Sequence, residues 1–301
     1  MANEVNEKKN GGYAPVTNCK FCPLECGADR TKGAGLCGVR LPHVAKYYLH
    51  PFEEPCISFH KGSGTVFFTG CSLQCAFCQN YELSRAERGK PVSARELAAI
   101  FQELEERGAE NISLVTAGHL APYLLEAFAL YRPKIPVVYN SGGYEKVETL
   151  RLLDPYIDVY LPDLKFYSPT LSKRYTGRLN YFEVAEKALL FMAGKPHKLR
   201  EDGKLLSGIV VRHLVMPLGV ADSKAVVRWF AAHMPQTAYL SLMSQYTPFG
   251  DTDKYPELRR KITAREYEAV LDEAISLGLA NRLFAQERAS AKETYIPKWD
   301  F

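Results

Sequence analysis

Phe68-Thr69-Gly70-Cys71-Ser72-Leu73-Gln74-Cys75-Ala76-Phe77-Cys78-Gln79-Asn80 follows an apolar run and spaces three cysteines as C-x3-C-x2-C. Three thiolates can hold a [4Fe-4S] cube and leave its fourth iron open, whereas a cluster built only for electron transfer takes four. An open iron accepts an exchangeable ligand and so does chemistry. Zinc loops count four ligands or add histidines, which this run lacks. The apolar run before the cysteines reads as a β-strand, so the chain delivers its thiols at a strand end.

Composition sets the frame. A chain of 301 residues suits one barrel-like domain with a small appendage. Hydrophobic content of 47% and charged content of 24% are those of an ordinary globular protein. The net charge of +4 is spread among acidic residues without a long basic block, so no nucleic-acid partner is expected. The N-terminus shows no apolar leader and no run is long enough to span a bilayer, so the expected location is cytoplasmic, off the membrane. Eight cysteines in such a chain point to metal ligation rather than disulfides, and all of them fall within the first 78 residues.

Four segments are expected. Residues 1–18 are polar and read as a flexible tail, 19–50 as a Cys-rich metal-binding segment, 51–285 as the barrel and 286–301 as a C-terminal extension. Cys19, Cys22, Cys26 and Cys37 make a second metal site, with zinc and a second iron-sulfur cluster both open as its occupant. From residue 65, β-branched and aromatic runs at 65–69, 112–116, 137–140, 157–161, 209–215 and 239–243 alternate with helical patterns. That alternation predicts an α/β fold, a partial (β/α)6 TIM-like barrel. Ser93 with Glu96, and Thr263 with Glu266, are capping boxes that start two of its helices, and Gly278 is a natural stop.

In parallel barrels the chemistry gathers where strands end. Thr116, Gly118 and His119 follow the second strand; small residues there let backbone approach a ligand, and a tight turn with His119 as a helix cap is the plain alternative. Asn140 and Ser141 end the third strand. Asp163 and Lys165 end the fourth and project to one side, where a carboxylate and an ammonium can take a zwitterion's charged groups or simply pair with each other. Arg212 and His213 alternate, so at most one faces the lumen, and Gln245 follows the sixth strand as a further ligand candidate.

The three-cysteine run resembles the signature of the radical SAM superfamily, with Phe77 as the aromatic residue that lies near the adenine of S-adenosylmethionine (SAM) in those enzymes. Together with Cys19-x2-Cys22-Pro23, 138–145, Tyr160-Leu161-Pro162-Asp163-Leu164-Lys165 and 242–246, it resembles the PflX-like group, homologues of the pyruvate formate-lyase activating enzyme, from Cys19 to about Gly278. The resemblance implies the radical SAM type of barrel, with Cys71, Cys75 and Cys78 on the [4Fe-4S] cluster and Asp163 and Lys165 contacting SAM. It implies reductive cleavage of SAM to a 5′-deoxyadenosyl radical and hydrogen abstraction from a substrate, with a flavodoxin or ferredoxin as reductant. A glycine of a partner glycyl radical enzyme is the leading substrate. A small metabolite or another protein modification competes with it, and a non-catalytic iron-sulfur or zinc protein is the reading from another class. The superfamily's Gly-Gly-Glu is replaced here by Thr116-Ala117-Gly118-His119.

Overall fold

The computed structural model describes residues 13–286 and 299. β1 (His43–His50) enters the sheet antiparallel to β2 (Ser63–Phe68) and pairs on its other edge with the two-residue β3 (Lys90–Pro91). From β2 the sheet is parallel through β4 (Ile112–Val115), β5 (Val137–Ser141) and β6 (Val159–Pro162). After β7 (Lys198–Leu199), which pairs antiparallel with β8 (Leu205–Leu214), the parallel order continues from β6 through β8 to β9 (Tyr239–Met243) and β10 (Leu283–Ala285). The resulting order is β3-β1-β2-β4-β5-β6-β8-β9-β10, whose two edges do not pair with each other. This is a mostly parallel, partial barrel.

The strands are continuous apolar runs because both their faces are covered. β2, β4, β5 and β6 are buried along their whole length. The crossover helices are α1 (Ala94–Glu106), α2 (Ala121–Leu130), α3 (Val147–Leu153), α4 (Pro169–Thr176), α5 (Tyr181–Met192), α6 (Val220–His233) and α7 (Ala264–Ser276). α1 buries Leu97, Ile100, Phe101 and Leu104, and its predicted capping box is present: Glu96 N donates to Ser93 Oγ at 3.2 Å and Ser93 N to Glu96 Oε2 at 2.8 Å. Thr263 and Glu266 repeat it before α7, and the same Glu266 carboxylate accepts from Leu218 N and Arg260. Among the described residues no helix is long and apolar enough to cross a membrane.

Several boundaries differ from the sequence reading. The fourth strand begins at Val159, because Asp154–Tyr156 form a 3-10 turn, with Pro155 in it, that takes up the preceding residues. β8 starts at Leu205, ahead of the expected 209, where Ser207 and Gly208 weaken the apolar signal. β10 was not expected; three residues carry too little pattern to read. Of the expected tail 1–18, residues 1–12 lie outside the described residues, but Tyr13 is buried edge-on against Tyr123, with ring centroids 4.7 Å apart, and Ala14 N donates to Glu126 Oε1 at 3.0 Å. Residues 43–50, assigned to the Cys-rich segment, are a strand of the barrel sheet, one in from its edge. Of 286–301, Gln286 donates its backbone N–H to Leu242 O at 3.1 Å, and 287–298 and 300–301 lie outside the described residues.

Residues 53–57 cross the end of the barrel where the strands begin. Leu205 N donates to Cys56 O at 2.7 Å and Asn111 Nδ2 to Ile57 O at 3.1 Å, while Cys56 and Ile57 pack on Val138, Val159 and Val210. At the opposite end, Gly143 turns the chain at φ +77°, and an added Cβ would lie 2.2 Å from Asp163 O. Gly143→Ala is therefore expected to cost at least about 1–3 kcal/mol of stability through overpacking and to displace the backbone that carries Asp163. Urea unfolding measures the first effect, and an unchanged midpoint would contradict it.

Candidate active site

The cysteine loop is held by backbone hydrogen bonds from four separate parts of the chain. Gly70 N donates to Leu83 O at 2.7 Å, Cys71 N to Cys37 O at 3.0 Å, Ala76 N to Tyr175 O at 2.8 Å, and Asp251 N to Ala76 O at 2.8 Å. Arg85 Nη2 donates to Gln74 O at 2.6 Å and Arg178 Nε to Ser72 O at 3.2 Å. Gln74 turns the loop with φ +49°, a left-handed conformation that such an anchored segment can hold. The three thiols thus stand at positions fixed by surrounding backbone.

They line one wall of a cavity of about 240 Å³, which Phe77, Thr116, Asn140, Ser141, Asp163, Lys165, Arg212 and Gln245 also line. The central polar group of this lining is Asp163. Its Oδ2 accepts from Lys165 Nζ at 2.6 Å and its Oδ1 from Arg212 Nε at 2.8 Å, while Arg212 Nη2 donates to Asn140 Oδ1 at 2.6 Å. Burial would raise the Asp163 carboxyl, but Arg212 and Lys165 outweigh it and hold the group below its ordinary range. The pair is therefore ionised, with spare N–H donors and carboxylate lone pairs toward the cavity. Burial pushes the Cys71, Cys75 and Cys78 thiols up, Cys78 to about 11, so metal ligation must displace their protons.

The strand-end residues named from sequence do not all reach this cavity. Thr116 does, with φ +59°, a strained value for a β-branched residue that its N–H to Asn140 O bond at 2.9 Å helps to hold. Gly118 does not line it. An added Cβ there would lie 2.0 Å from Glu145 Oε2 and 2.5 Å from Tyr139 Oη, so this glycine makes room for a buried carboxyl rather than for a ligand. His119 is neither ligand nor cap: it is buried, its Nε2 pairs with Thr69 O at 2.9 Å, and burial lowers it to about 3, leaving it neutral. Arg212 is the lumen-facing member of its pair. His213 turns outward to Leu164 O and Ser223 Oγ and is held neutral by burial.

Sequence reading missed Glu53 and Glu145. Glu53 comes from the segment closing the barrel and reaches the cavity floor, where its Oε1 is 3.8 Å from Arg212 Nη1 and its Oε2 accepts from Ser113 Oγ at 3.3 Å. It lies in no strand, so no periodic signal pointed to it. Glu145 is buried behind the cavity against Tyr139 and Ser141. Burial raises both carboxyls to about 7.

Residues 65–194 match the family described as the radical SAM superfamily. The uncharacterized protein MJ0674 of Methanocaldococcus jannaschii is 30% identical over 265 residues, covering 85% of this chain and 73% of that one. The chain belongs to the radical SAM superfamily. Among solved structures it is similar to a domain of a pyruvate-formate lyase-activating enzyme from Bacteroides vulgatus (14% identity, TM-score 0.37, 64% of this chain and 91% of that one). It is also similar to native anSMEcpe with bound AdoMet (14% identity, TM-score 0.48, 72% and 61%).

Membership in the radical SAM superfamily implies a [4Fe-4S] cluster and SAM. The donor set fits that pair: three thiols share one cavity with an ionised carboxylate-ammonium pair. Among the described residues no three metal-ligating side chains are gathered to hold a single ion. A cube does not ask for that, because each thiolate takes a different iron.

The raised Glu145 carboxyl makes a stability prediction. Its folded value of about 7 lies above the unfolded one, so its contribution is fully present below the ordinary carboxylate range and is lost as pH rises through about 7. Glu145→Gln, which cannot ionise, should therefore gain on wild type between about pH 5 and about pH 8, by on the order of a few kcal/mol. Thermal unfolding under anaerobic conditions reads the difference; a constant gap across that range would return Glu145 to an ordinary carboxyl.

Proposed function

We propose that this chain is a radical SAM enzyme in which Cys71, Cys75 and Cys78 hold the [4Fe-4S] cluster and Asp163, Lys165 and Arg212 bind the charged end of SAM. The observation that carries this reading is the single cavity shared by the three thiols and the ionised Asp163-Lys165 pair. When bound, the cluster and SAM supply one-electron chemistry: reductive cleavage of SAM to methionine and a 5′-deoxyadenosyl radical that takes a hydrogen atom from the substrate. The chain's own residues bind, orient and shield. Lys165 and Arg212 offer donors to a carboxylate, Asp163 and Asn140 offer acceptors to an amino or hydroxyl group, and Thr116 and Ser141 add hydroxyls. Phe77, packed edge-on against Phe166 and Tyr175 with centroids 5.9 and 6.2 Å away, is a rigid apolar wall that excludes water.

The substrate we assign is a glycine of a partner glycyl radical enzyme, with a flavodoxin or ferredoxin as reductant, on the resemblance to the PflX-like group. A small polar metabolite is the second reading. Glu53 favours it, because a carboxyl on the cavity floor can recognise a hydrogen-bond donor that has entered the barrel.

Anaerobically reconstituted enzyme, once reduced, should produce 5′-deoxyadenosine slowly on its own, and adding SAM should change the EPR spectrum of the reduced cluster. Lys165→Ala and Asp163→Asn should each weaken SAM binding at least about tenfold, a loss of about 1.4 kcal/mol, with the iron content unchanged. SAM affinity equal to wild type in both would make the pair structural. The protein fraction of a host extract should stimulate 5′-deoxyadenosine formation and carry a new organic radical. Stimulation confined to the small-molecule fraction would favour the metabolite.

A further inference from the structure

Arg30 is among the most deeply buried side chains of the protein, 2% exposed. Its Nη2 donates to Cys37 Sγ at 3.3 Å and to His119 O at 3.0 Å. Its Nε and Nη1 are buried with no hydrogen-bond partner. The groups that favour its charge are Cys37, Cys19 and Tyr123, none of them a carboxylate. A guanidinium is always charged, and burying one without a counter-charge costs several kcal/mol. If the thiols beside it are neutral, Arg30 has no anionic partner among the described residues.

The four cysteines near it belong to one folded segment. Cys19 N donates to Ala28 O, Glu25 N to Cys22 O and Gly27 N to Cys19 O, each at 3.0 Å, which folds the Cys19–Cys26 loop back on itself with Glu25 and Gly27 at positive φ. Cys37 lies close enough to Cys19, Cys22 and Cys26 for their charges to act on it and on one another. Gly35 sits between two of the sulfurs: an added Cβ would lie 3.3 Å from Cys26 Sγ and 3.5 Å from Cys37 Sγ. Only a residue without a side chain leaves that space open.

We propose that Cys19, Cys22, Cys26 and Cys37 bind a second metal centre as thiolates, and that Arg30 is the buried counter-charge of this anionic centre. Four thiolates on a zinc ion or on an iron-sulfur cluster give a net negative charge, which the orphaned guanidinium N–H groups can meet. Ligation releases the thiol protons. Zinc requires the loops to draw in around one ion, whereas a cluster takes each thiolate on its own iron. The Cys37 O to Cys71 N hydrogen bond joins this centre to the loop of the first, so its loading also stiffens the active-site cysteines.

The test isolates the second centre from the radical SAM reading by removing the first cluster. The full-length triple variant C71A/C75A/C78A, purified anaerobically, should retain about one zinc or about four irons per chain by metal analysis. Adding Cys26→Ser, at the most exposed of the four sites, should abolish that metal while circular dichroism shows the barrel intact. Arg30→Met in the triple variant should lose metal to a chelator at least about tenfold faster, with Arg30→Lys in between. A triple variant free of zinc and iron, metal that survives Cys26→Ser, or equal release rates with and without Arg30 would overturn the proposal. Failure of the first cluster to form in wild type would leave this result untouched.

Discussion

The Asp163 carboxylate, shared between Lys165 and Arg212, is the interaction on which the site depends. It ties β6 to β8, and through Arg212 it reaches Asn140 at the end of β5 and Glu53 on the floor. In so buried a place each cation would be costly alone, and removing the carboxylate would strip Lys165 of its ion pair and leave Arg212 only the longer contact to Glu53. The charges are therefore kept as a set, and the set ties three strand ends together beside the cavity that the cysteines line. Gly143 is part of the same constraint, since only a glycine lets the β5 turn approach Asp163 O.

The cysteine loop faces that set from a scaffold assembled out of distant segments. Its clamps come from the N-terminal segment at Cys37, from Leu83, from Tyr175 at the end of α4 and from Asp251 beyond β9. The long connection from β2 to β3 that carries them could not hold three thiols unaided, because its own backbone satisfies few of its polar groups. The N-terminal segment is thus more than an appendage. Tyr13, Cys37 and Val39 belong to the same hydrophobic core as the barrel strands, and His119, whose ring holds Thr69 O, presents its carbonyl to Arg30.

Glu145 and Glu53 are two carboxyls treated in different ways. Both are raised by burial to about 7, but Glu53 opens onto the cavity and feels Arg212, while Glu145 is sealed behind it against Tyr139 and Gly118. The first is placed to meet a ligand. The second is a structural hydrogen-bonding group whose ionisation the fold opposes, and it accounts for a glycine whose position after a strand suggested a cofactor contact.

The barrel and the local parts of the site were legible in the chain alone. The six main parallel strands are apolar runs of adjacent residues, the capping boxes are four-residue patterns, and the three cysteines follow one strand, so periodicity and spacing carry them directly. Thr116, Asn140, Ser141, Asp163, Lys165 and Gln245 were legible because parallel strands put their ends on one rim. What lies between segments emerged only in the folded chain: Glu53 crosses the floor, Arg212 rather than His213 faces inward, Gly118 packs on Glu145, and Arg30 is buried against the His119 carbonyl. Each of these is a contact over a long sequence separation between buried charged or small residues. Such contacts leave no periodic trace in the chain, because their energy comes from desolvation and charge pairing that exist only once the strands have closed around them.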